Sequence, residues 1–206
     1  INKFMRLYIA DSSDNLFLLN HAPCENLLKS IKNSYPLSKR AFVIHDFTWT
    51  KYLDGRLDLL DSLLNKKERN EKEKYIYNQF LEERRMYTIA DKVICLSKSS
   101  FDILRSFYQI PLNKITLIPN GMCPKKTQIQ NKNIIRRQLY LSPKERILLY
   151  VGRPTKQKGF YALIQSFERV LQKETNLRLV IIGMFEEDSF KYISMRFPTI
   201  TSKITF

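Results

Sequence analysis

The segment Val151–Gly159 places glycine and fixed positive charge between a predicted strand and a predicted helix. A glycine such as Gly152 lets a ligand approach the backbone, and free N–H groups at a helix N-terminus bind phosphate. Arg153 and Lys158 could add charge-assisted hydrogen bonds to a diphosphate. The spacing is neither a P-loop nor the dinucleotide-binding fingerprint, so an ordinary basic loop is an equally open interpretation.

The only two histidines of the chain both follow apolar, strand-like runs. One occurs in the pair His45-Asp46 and the other in Asn20-His21. The carboxyl ends of parallel strands line the ligand crevice of open α/β sheets. All four side chains are therefore candidates for binding a polar substrate, and capping of a loop is the alternative.

Other residue patterns are weaker or exclude a chemistry. Asn120-Gly121 follows a short apolar run, but Asn-Gly is a turn signal in any protein. The three cysteines, Cys24, Cys95 and Cys123, are odd in number and lack CxxC spacing, which argues against a disulfide framework and a zinc site. With two histidines and scattered acids, we expect no metal centre.

Apolar, often β-branched runs alternate with amphipathic segments, which predicts parallel sheets covered by helices, an α/β fold. The predicted strands are Leu16–Leu19, Ala41–Ile44, Val93–Leu96, Ile115–Ile118, Ile147–Val151, Leu177–Ile182 and a last one at Lys203–Phe206. Apolar residues at helical spacing predict helices after Gly159 and around Phe101–Tyr108. The N-cap candidates for the second of these helices are Ser97, Ser99 and Ser100, and Asp102 lies three residues after Ser99 as a capping-box variant.

The polar stretch from Asp54 to Arg85 interrupts this alternation. Apolar residues at helical spacing on both sides of a charged centre predict one or two exposed helices. A surface for anionic lipid is the alternative, although a run of mixed charge is more often solvated.

A second change of composition follows Gly121, where lysines, amides and Pro124 replace periodic apolar residues. This pattern is typical of a linker. We therefore predict a first domain over residues 1–121, a linker over 122–133 and a second domain over 134–206.

The net charge is +15 over 206 residues. Such a balance favours nucleic acid, an anionic membrane surface or phosphorylated small molecules as partners. The basic pairs are spread along the chain, and no nucleic-acid-binding motif accompanies them. No apolar run is long enough to span a membrane.

Four stretches, in this order, resemble the family-4 glycosyltransferases, which have the two-Rossmann GT-B fold: Val43–Trp49, Ala90–Ser97, Lys114–Gly121 and Tyr150–Gly159. The His-Asp-x-x-Trp pattern, with Leu19–Cys24 before it, resembles a branch common in Bacteroidales bacteria. The resemblance implies sugar transfer from a UDP- or GDP-linked nucleotide-sugar donor, with retention of configuration and without a metal or other cofactor. It further implies a saccharide or lipid-linked acceptor, a role in cell-surface polysaccharide synthesis, and a cytoplasmic protein with peripheral contact to an anionic inner membrane face. No nucleic-acid partner is expected.

The resemblance also implies roles for individual residues. Arg153 and Lys158 match the pair that holds the donor diphosphate, and Gly152 matches the glycine that admits it. His45 matches a histidine that contacts the transferred sugar, while Asn120-Gly121 ends the first domain at the cleft.

Three departures from the family pattern affect what to expect of these residues. The first strand with its Gly-rich loop is lacking, and so is the later Glu-x-x-x-x-x-x-x-Glu segment of the second domain. Gly183-Met184-Phe185 also replaces the usual Gly-Asp/Glu-Gly. We therefore expect both domains to be incomplete and the 206-residue chain to be weakly active or inactive. A non-catalytic nucleotide-binding remnant and a basic nucleic-acid-binding protein are the alternatives.

Overall fold

The computed structural model describes residues 2–20, 24–122, 131–183 and 187–206. The chain divides into two compact units, Ile1–Cys123 and Pro124–Phe206. Most of the predicted linker, residues 123–130, lies outside the described residues, and a helix begins at Lys132.

Both units alternate strands with helices. The strands are β1 Leu16–Leu19, β2 Lys39–Ile44, β3 Lys92–Cys95, β4 Ile115–Leu117, β5 Arg146–Val151, β6 Leu177–Ile182 and β7 Ile204–Thr205. The α-helices are α1 Asn2–Met5, α2 Glu25–Ser34, α3 Leu57–Asn65, α4 Glu71–Ile89, α5 Lys98–Ser106, α6 Lys132–Gln138, α7 Phe160–Leu171 and α8 Glu187–Arg196. Short 3-10 turns occupy Thr48–Lys51, Leu112–Lys114, Lys156–Lys158 and Pro198–Lys203. All seven predicted strands are present, with ends that differ by two residues at most.

The first unit contains a parallel sheet with the strand order β1-β2-β3-β4. Leu19 pairs with Phe42, and Ile44 pairs with Cys95, so neighbouring strands end at the same edge of the sheet. Strand β2 is buried from Arg40 to Ile44, as expected for a central parallel strand covered on both faces. The residues that directly follow β1 and β2 therefore lie side by side.

The buried start of β2 is held by an ion pair. Arg40, which is almost fully buried, donates from Nε and Nη2 to the two oxygens of Asp91, at 2.8 and 3.0 Å. Asp91 Oδ2 also accepts the Arg40 backbone N–H at 2.8 Å. Because Asp91 directly precedes β3, this carboxylate fixes the register of two neighbouring strands.

The charged stretch forms two helices, as its pattern predicts. Helix α4 begins with a capping box, in which Asn70 accepts the Glu73 N–H and Glu73 accepts the Asn70 N–H. Ile76, Phe80 and Tyr87 are buried on the inner face of α4. The prediction for α5 was wrong in one detail: Ser97 is the N-cap, and Asp102 pairs with Lys98 at 2.6 Å instead of capping.

The second unit contains the parallel sheet β5-β6-β7. Helix α7 packs against one face of this sheet. Its buried side chains Phe160, Ile164 and Phe167 form one core cluster with Leu179 and Ile181 of β6. Side chains alternate across a strand, so the residues between them point to the other face. There Leu149, Val151 and Ile182 are exposed among the described residues.

Candidate functional site

Asn20 and His45 form a polar pair where β1 and β2 end. His45 Nε2 lies 2.7 Å from Asn20 Oδ1, and both residues are exposed. An amide oxygen only accepts hydrogen bonds, so Nε2 carries the proton of this contact. Both residues were predicted from sequence to face the crevice. His21 lies outside the described residues.

A small cavity of about 210 Å³ opens beside His45. Its lining combines the end of β2 and the following loop with one face of α4. The lining residues are Phe42, Val43, Ile44, His45, Asp46, Thr48, Lys51, Glu83, Met86 and Tyr87. Asp46 and Lys51 bring charges of both signs to the rim, so the cavity is suited to a small polar ligand.

Glu83 is a buried acid in the wall of this cavity that the sequence analysis missed. It is 2% exposed, and its carboxylate accepts hydrogen bonds from the Thr48 N–H at 2.7 Å and from the Tyr108 hydroxyl. Burial raises the pKa of Glu83, opposed by the hydrogen bonds from Thr48 and Tyr108, and Asp46 raises it further. The sequence did contain a signal, because the helical spacing of Glu83 from Ile76 and Phe80 places this acid on the apolar face of the helix. An acid on an apolar face needs a hydrogen-bond partner in the core.

The aromatic residues around Glu83 share its burial. Burial, followed by the charge of Glu83, raises the pKa of Tyr108 and of Tyr87. Trp49, the tryptophan of the His-Asp-x-x-Trp pattern, is 1% exposed. The nearby indole N–H of Trp49 partly offsets the raised pKa of Tyr108. This N–H has no partner with hydrogen-bond geometry among the described residues. Trp49 is thus a core residue beneath the loop, whereas His45 faces outward.

In the second unit, two glycines meet where β5 and β6 end. The Gly152 N–H donates to Ile182 O at 2.9 Å, and Gly152 has φ +153°, a backbone conformation that favours glycine. A Cβ on Gly183 would lie 2.2 Å from Gly152 O. The two strands can end this close together only because Gly183 carries no side chain.

The loop after Gly152 exposes two cations, Arg153 and Lys158. Neither side chain has an ion pair or hydrogen bond to any described residue. The Tyr150 hydroxyl donates to Arg153 O at 2.7 Å and lies 3.4 Å from Lys158 O. This phenol, which the sequence analysis missed, ties together the two ends of the loop that bear the cations.

The loop leads directly into α7. Lys156–Lys158 forms a 3-10 turn, and Gly159 follows with φ +71° and acts as the N-cap of α7. A Cβ at Gly159 would meet nothing within 4 Å, so its backbone conformation, not space, favours glycine there. A phosphate group in this loop would have a helix N-terminus on one side and fixed positive charge on the other.

Asn120 and Gly121 follow β4 and are exposed. The Ile118 N–H donates to Cys95 O at 2.9 Å, which prolongs the pairing of β4 with β3 beyond Leu117. Nothing lies within 4 Å of a Cβ built on Gly121. The two residues thus occupy the same edge of the sheet as Asn20 and His45, without a described contact to either.

Within the described ranges, no three His, Cys, Asp or Glu side chains are grouped closely enough to hold a metal ion. Within the same ranges, no helix is long and apolar enough to cross a membrane.

Two family models match successive parts of the chain. Glycosyltransferase Family 4 matches residues 42–126, and Glycosyl transferases group 1 matches residues 131–196. The first match includes His45 and its cavity, and the second includes the loop with Arg153 and Lys158.

Curated relatives match parts of the chain. Lipopolysaccharide 1,2-N-acetylglucosaminetransferase of Salmonella typhimurium is 30% identical over 82 residues, which are 39% of this chain and 22% of that protein. The capsular polysaccharide biosynthesis glycosyltransferase CapM of Staphylococcus aureus is 30% identical over 120 residues, 56% of this chain and 31% of CapM. The matched segments thus span less than a third of either relative.

Solved structures give the fold. The pneumococcal O-GlcNAc transferase GtfA, in complex with UDP and GlcNAc, matches with a TM-score of 0.61 at 16% identity, over 99% of this chain and 35% of GtfA. TarM matches with a TM-score of 0.60 at 15% identity, over 99% of this chain and 34% of TarM. Both neighbours are GT-B enzymes. The chain thus has the fold of the GT-B enzymes, and it contains a region that matches glycosyltransferase family 4 followed by a region that matches glycosyl transferases group 1.

Proposed function

We propose that the protein transfers a sugar from a nucleotide-sugar donor to a saccharide or lipid-linked acceptor. The observation that carries this proposal is the loop from Gly152 to Gly159, where two cations without a partner among the described residues lie between a strand end and a helix N-terminus. A diphosphate needs such a combination of positive charge and N–H donors. The structural neighbour GtfA, a transferase in complex with UDP and GlcNAc, supports a UDP-linked donor, with GDP as the alternative.

The two regions of the chain take different roles in this proposal. Residues 134–206 hold the donor nucleotide, residues 1–121 belong to the acceptor side, and residues 122–133 link them. Arg153 and Lys158 bind the diphosphate of the donor, and Gly152 admits it close to the backbone. When the sugar leaves, the same two cations stabilise the negative charge that develops on the diphosphate, which is an electrostatic contribution to the rate.

The polar edge of the first sheet would contact the transferred sugar and the acceptor. His45 Nε2 donates to Asn20, which leaves Nδ1 of the ring to accept a hydrogen bond from a sugar hydroxyl. Asp46, His21, Asn120 and Gly121 are proposed as further substrate contacts. Arg153 and Lys158 meet the leaving charge in place of a metal ion, and the retention of configuration that the family resemblance implies is part of the proposal.

The biological setting of the proposal follows the relatives. Lipopolysaccharide and capsular polysaccharide are named for the two bacterial relatives, and we propose a comparable role in cell-surface polysaccharide synthesis. The net charge of +15 supports a cytoplasmic protein in peripheral contact with an anionic membrane face, since basic surfaces are attracted to anionic lipid.

Calorimetric titration with UDP and GDP tests the donor site. We expect wild type to bind at least one nucleotide and the double variant Arg153→Ala, Lys158→Ala to lose this binding, because both charges on the diphosphate are then unmet. The matched control is Arg105→Ala, Lys173→Ala, which removes the same net charge from two exposed side chains without described partners. Equal loss of binding in both double variants would show that nucleotide binding depends on net charge and not on this loop.

A transfer assay separates an enzyme from a binding protein. Incubation with UDP-linked N-acetylglucosamine and simple saccharide acceptors should release UDP in wild type and not in the double variant. Nucleotide binding without turnover by these 206 residues would instead assign them a nucleotide-binding role alone. Failure of the folded wild type to bind any nucleotide would contradict the proposed donor site.

A further inference from the structure

The carboxylate of Glu83 joins three elements of the first unit. Glu83 extends from α4, and its Oε1 accepts the backbone N–H of Thr48, the first residue of the turn after β2, at 2.7 Å. Its Oε2 accepts a hydrogen bond from the hydroxyl of Tyr108, the second residue after α5. Both carboxylate oxygens are therefore already hydrogen-bonded to donors of the protein itself.

The ring of Tyr108 closes this connection from the other side. It is stacked on Phe80 of α4, with ring centroids 4.3 Å apart, and on Phe47, at 5.3 Å. Phe47 directly precedes Thr48, so two successive loop residues are held, one through its ring and one through its backbone N–H. The result is a closed circuit of contacts that involves Glu83, Thr48, Phe47 and Tyr108.

This circuit ends two residues from His45. His45 and Asp46 are exposed, whereas Phe47 is buried, so the loop changes from solvent to core within one residue. The His45 ring has a second tether in Asn20, 2.7 Å away. Its position is therefore set by the neighbouring strand on one side and by the buried circuit on the other.

A buried acid is a costly way to fill this space. Burial raises the pKa of Glu83, and the nearby Asp46 raises it further. Apolar residues of similar volume commonly stabilise a core at least as well as buried charged groups do. What an apolar residue cannot do is accept the Thr48 N–H, which would then stay unpaired in the core.

We propose that Glu83 is a positioning residue for His45, and that it acts by holding the Thr48 N–H while Tyr108 holds its second oxygen. The consequence for sugar transfer rests on the proposed function, in which His45 contacts the transferred sugar. The positioning itself is a property of the first unit and does not depend on donor binding.

Proton NMR of the histidine ring tests the positioning directly. The chain has two histidines, so the Hε1 resonance of His45 is assigned by its loss in His45→Asn. In Glu83→Met, which removes both acceptors and keeps an unbranched side chain, we expect this resonance to shift and broaden. In Glu83→Gln the amide oxygen can still accept the Thr48 N–H, so the resonance should remain close to its wild-type position.

The matched control is Glu82→Met, the same change one residue away, at a half-buried side chain without a described hydrogen bond. It should leave the His45 resonance unchanged. An unchanged resonance in folded Glu83→Met would overturn the proposal. If Glu83→Met does not fold, Tyr108→Phe decides: it removes one hydrogen bond and keeps the stacked ring, and an unmoved resonance there would also count against the circuit.

A transfer assay then tests the consequence for function. Glu83→Met should lower kcat roughly tenfold or more with little change in the nucleotide-sugar KM, because small misplacements of a contact group slow the reaction. Glu83→Gln should recover most of that rate. If the His45 resonance shifts in Glu83→Met but kcat is normal, Glu83 positions His45 but His45 has no role in sugar transfer. If the protein binds no nucleotide, the proposed function is wrong and the positioning of His45 by Glu83 is unaffected.

Discussion

At the scale of single residues, the loop with the two cations depends on a contact that its own sequence does not reveal. Gly183 follows β6, and a Cβ on it would lie 2.2 Å from Gly152 O and 2.9 Å from the Gly152 carbonyl carbon. The obstacle is backbone, which cannot move aside as a flexible side chain can. Gly152 in turn is fixed by its N–H bond to Ile182 O, so the clash would be transmitted to Arg153.

Gly183→Ala should therefore both destabilise the second unit and displace the loop. We expect a loss of about 1–3 kcal/mol in unfolding free energy, the usual cost of inserting a methyl group into a packed site, together with weaker UDP binding. Urea denaturation followed by circular dichroism, and calorimetric titration, measure the two effects. The control Gly121→Ala adds a methyl group where nothing lies within 4 Å. Wild-type stability in Gly183→Ala would show that the contact relaxes freely.

At the scale of elements, periodicity was sufficient to predict β1 to β6 and the two helices of the charged stretch. Their apolar residues repeat with the period of the element, and that repeat is a local property of the sequence. The ends were less predictable: β3 begins at Lys92 because its pairing starts opposite Ala41. Likewise, several serines could cap α5 by their residue type alone. Ser97 is the N-cap because it is the serine that directly precedes the first turn of the helix.

The candidate site was predictable only where a residue follows a strand. His45 and Asn20 could be placed at strand ends from sequence, but their 2.7 Å contact requires β1 to be the neighbour of β2. Glu83 and Tyr108 are 25 residues apart, the first in α4 and the second in the bend after α5. Their meeting depends on how α4 and α5 pack, which no local pattern records.

Glu145 gives the second sheet an acid-sensitive connection. Glu145 lies just before β5, and its carboxylate accepts two hydrogen bonds from Arg178 of β6, at 2.7 and 3.1 Å. It also accepts one from Lys203, just before β7, at 3.2 Å. The hydrogen bond from Arg178, opposed by burial and aided by Lys203, lowers the pKa of Glu145 below its ordinary value of 4.5. A lowered folded-state pKa means that the stabilisation is present above pH 4.5 and is lost as the pH falls through the folded value.

Glu145→Gln should therefore lower the unfolding free energy at pH 7 and have a smaller effect as the pH drops below about 4.5. Urea denaturation at a series of pH values, with wild type and variant compared at each, measures this difference. Glu174→Gln is the control, because Glu174 is exposed and lies 3.7 Å from Arg146, and exposed pairs contribute little. A stability difference independent of pH would show that the carboxylate charge of Glu145 is not what matters.

At the scale of the whole molecule, the charge of +15 acts beyond the donor site. Many of the cations already have partners: Arg40, Arg178 and Lys203 all bind acids of the protein. Others, such as Arg153 and Lys158, do not have a described partner. We therefore expect both a general attraction to polyanions and specific binding of a diphosphate. The general attraction acts between exposed charges and is screened by salt over about 8–10 Å at physiological ionic strength.

Vesicle binding distinguishes the membrane role from nucleotide binding. We expect the protein to cosediment with vesicles rich in phosphatidylglycerol at low salt, to be released by about 0.5 M NaCl, and not to bind phosphatidylcholine vesicles, since only anionic lipid attracts a basic surface. Arg153→Ala, Lys158→Ala should weaken vesicle binding only as far as the control Arg105→Ala, Lys173→Ala does, because lipid attraction depends on total charge and not on one loop. Equal binding to neutral and anionic vesicles, or no binding at low salt, would contradict the electrostatic membrane contact and leave the donor site as the function of the cations.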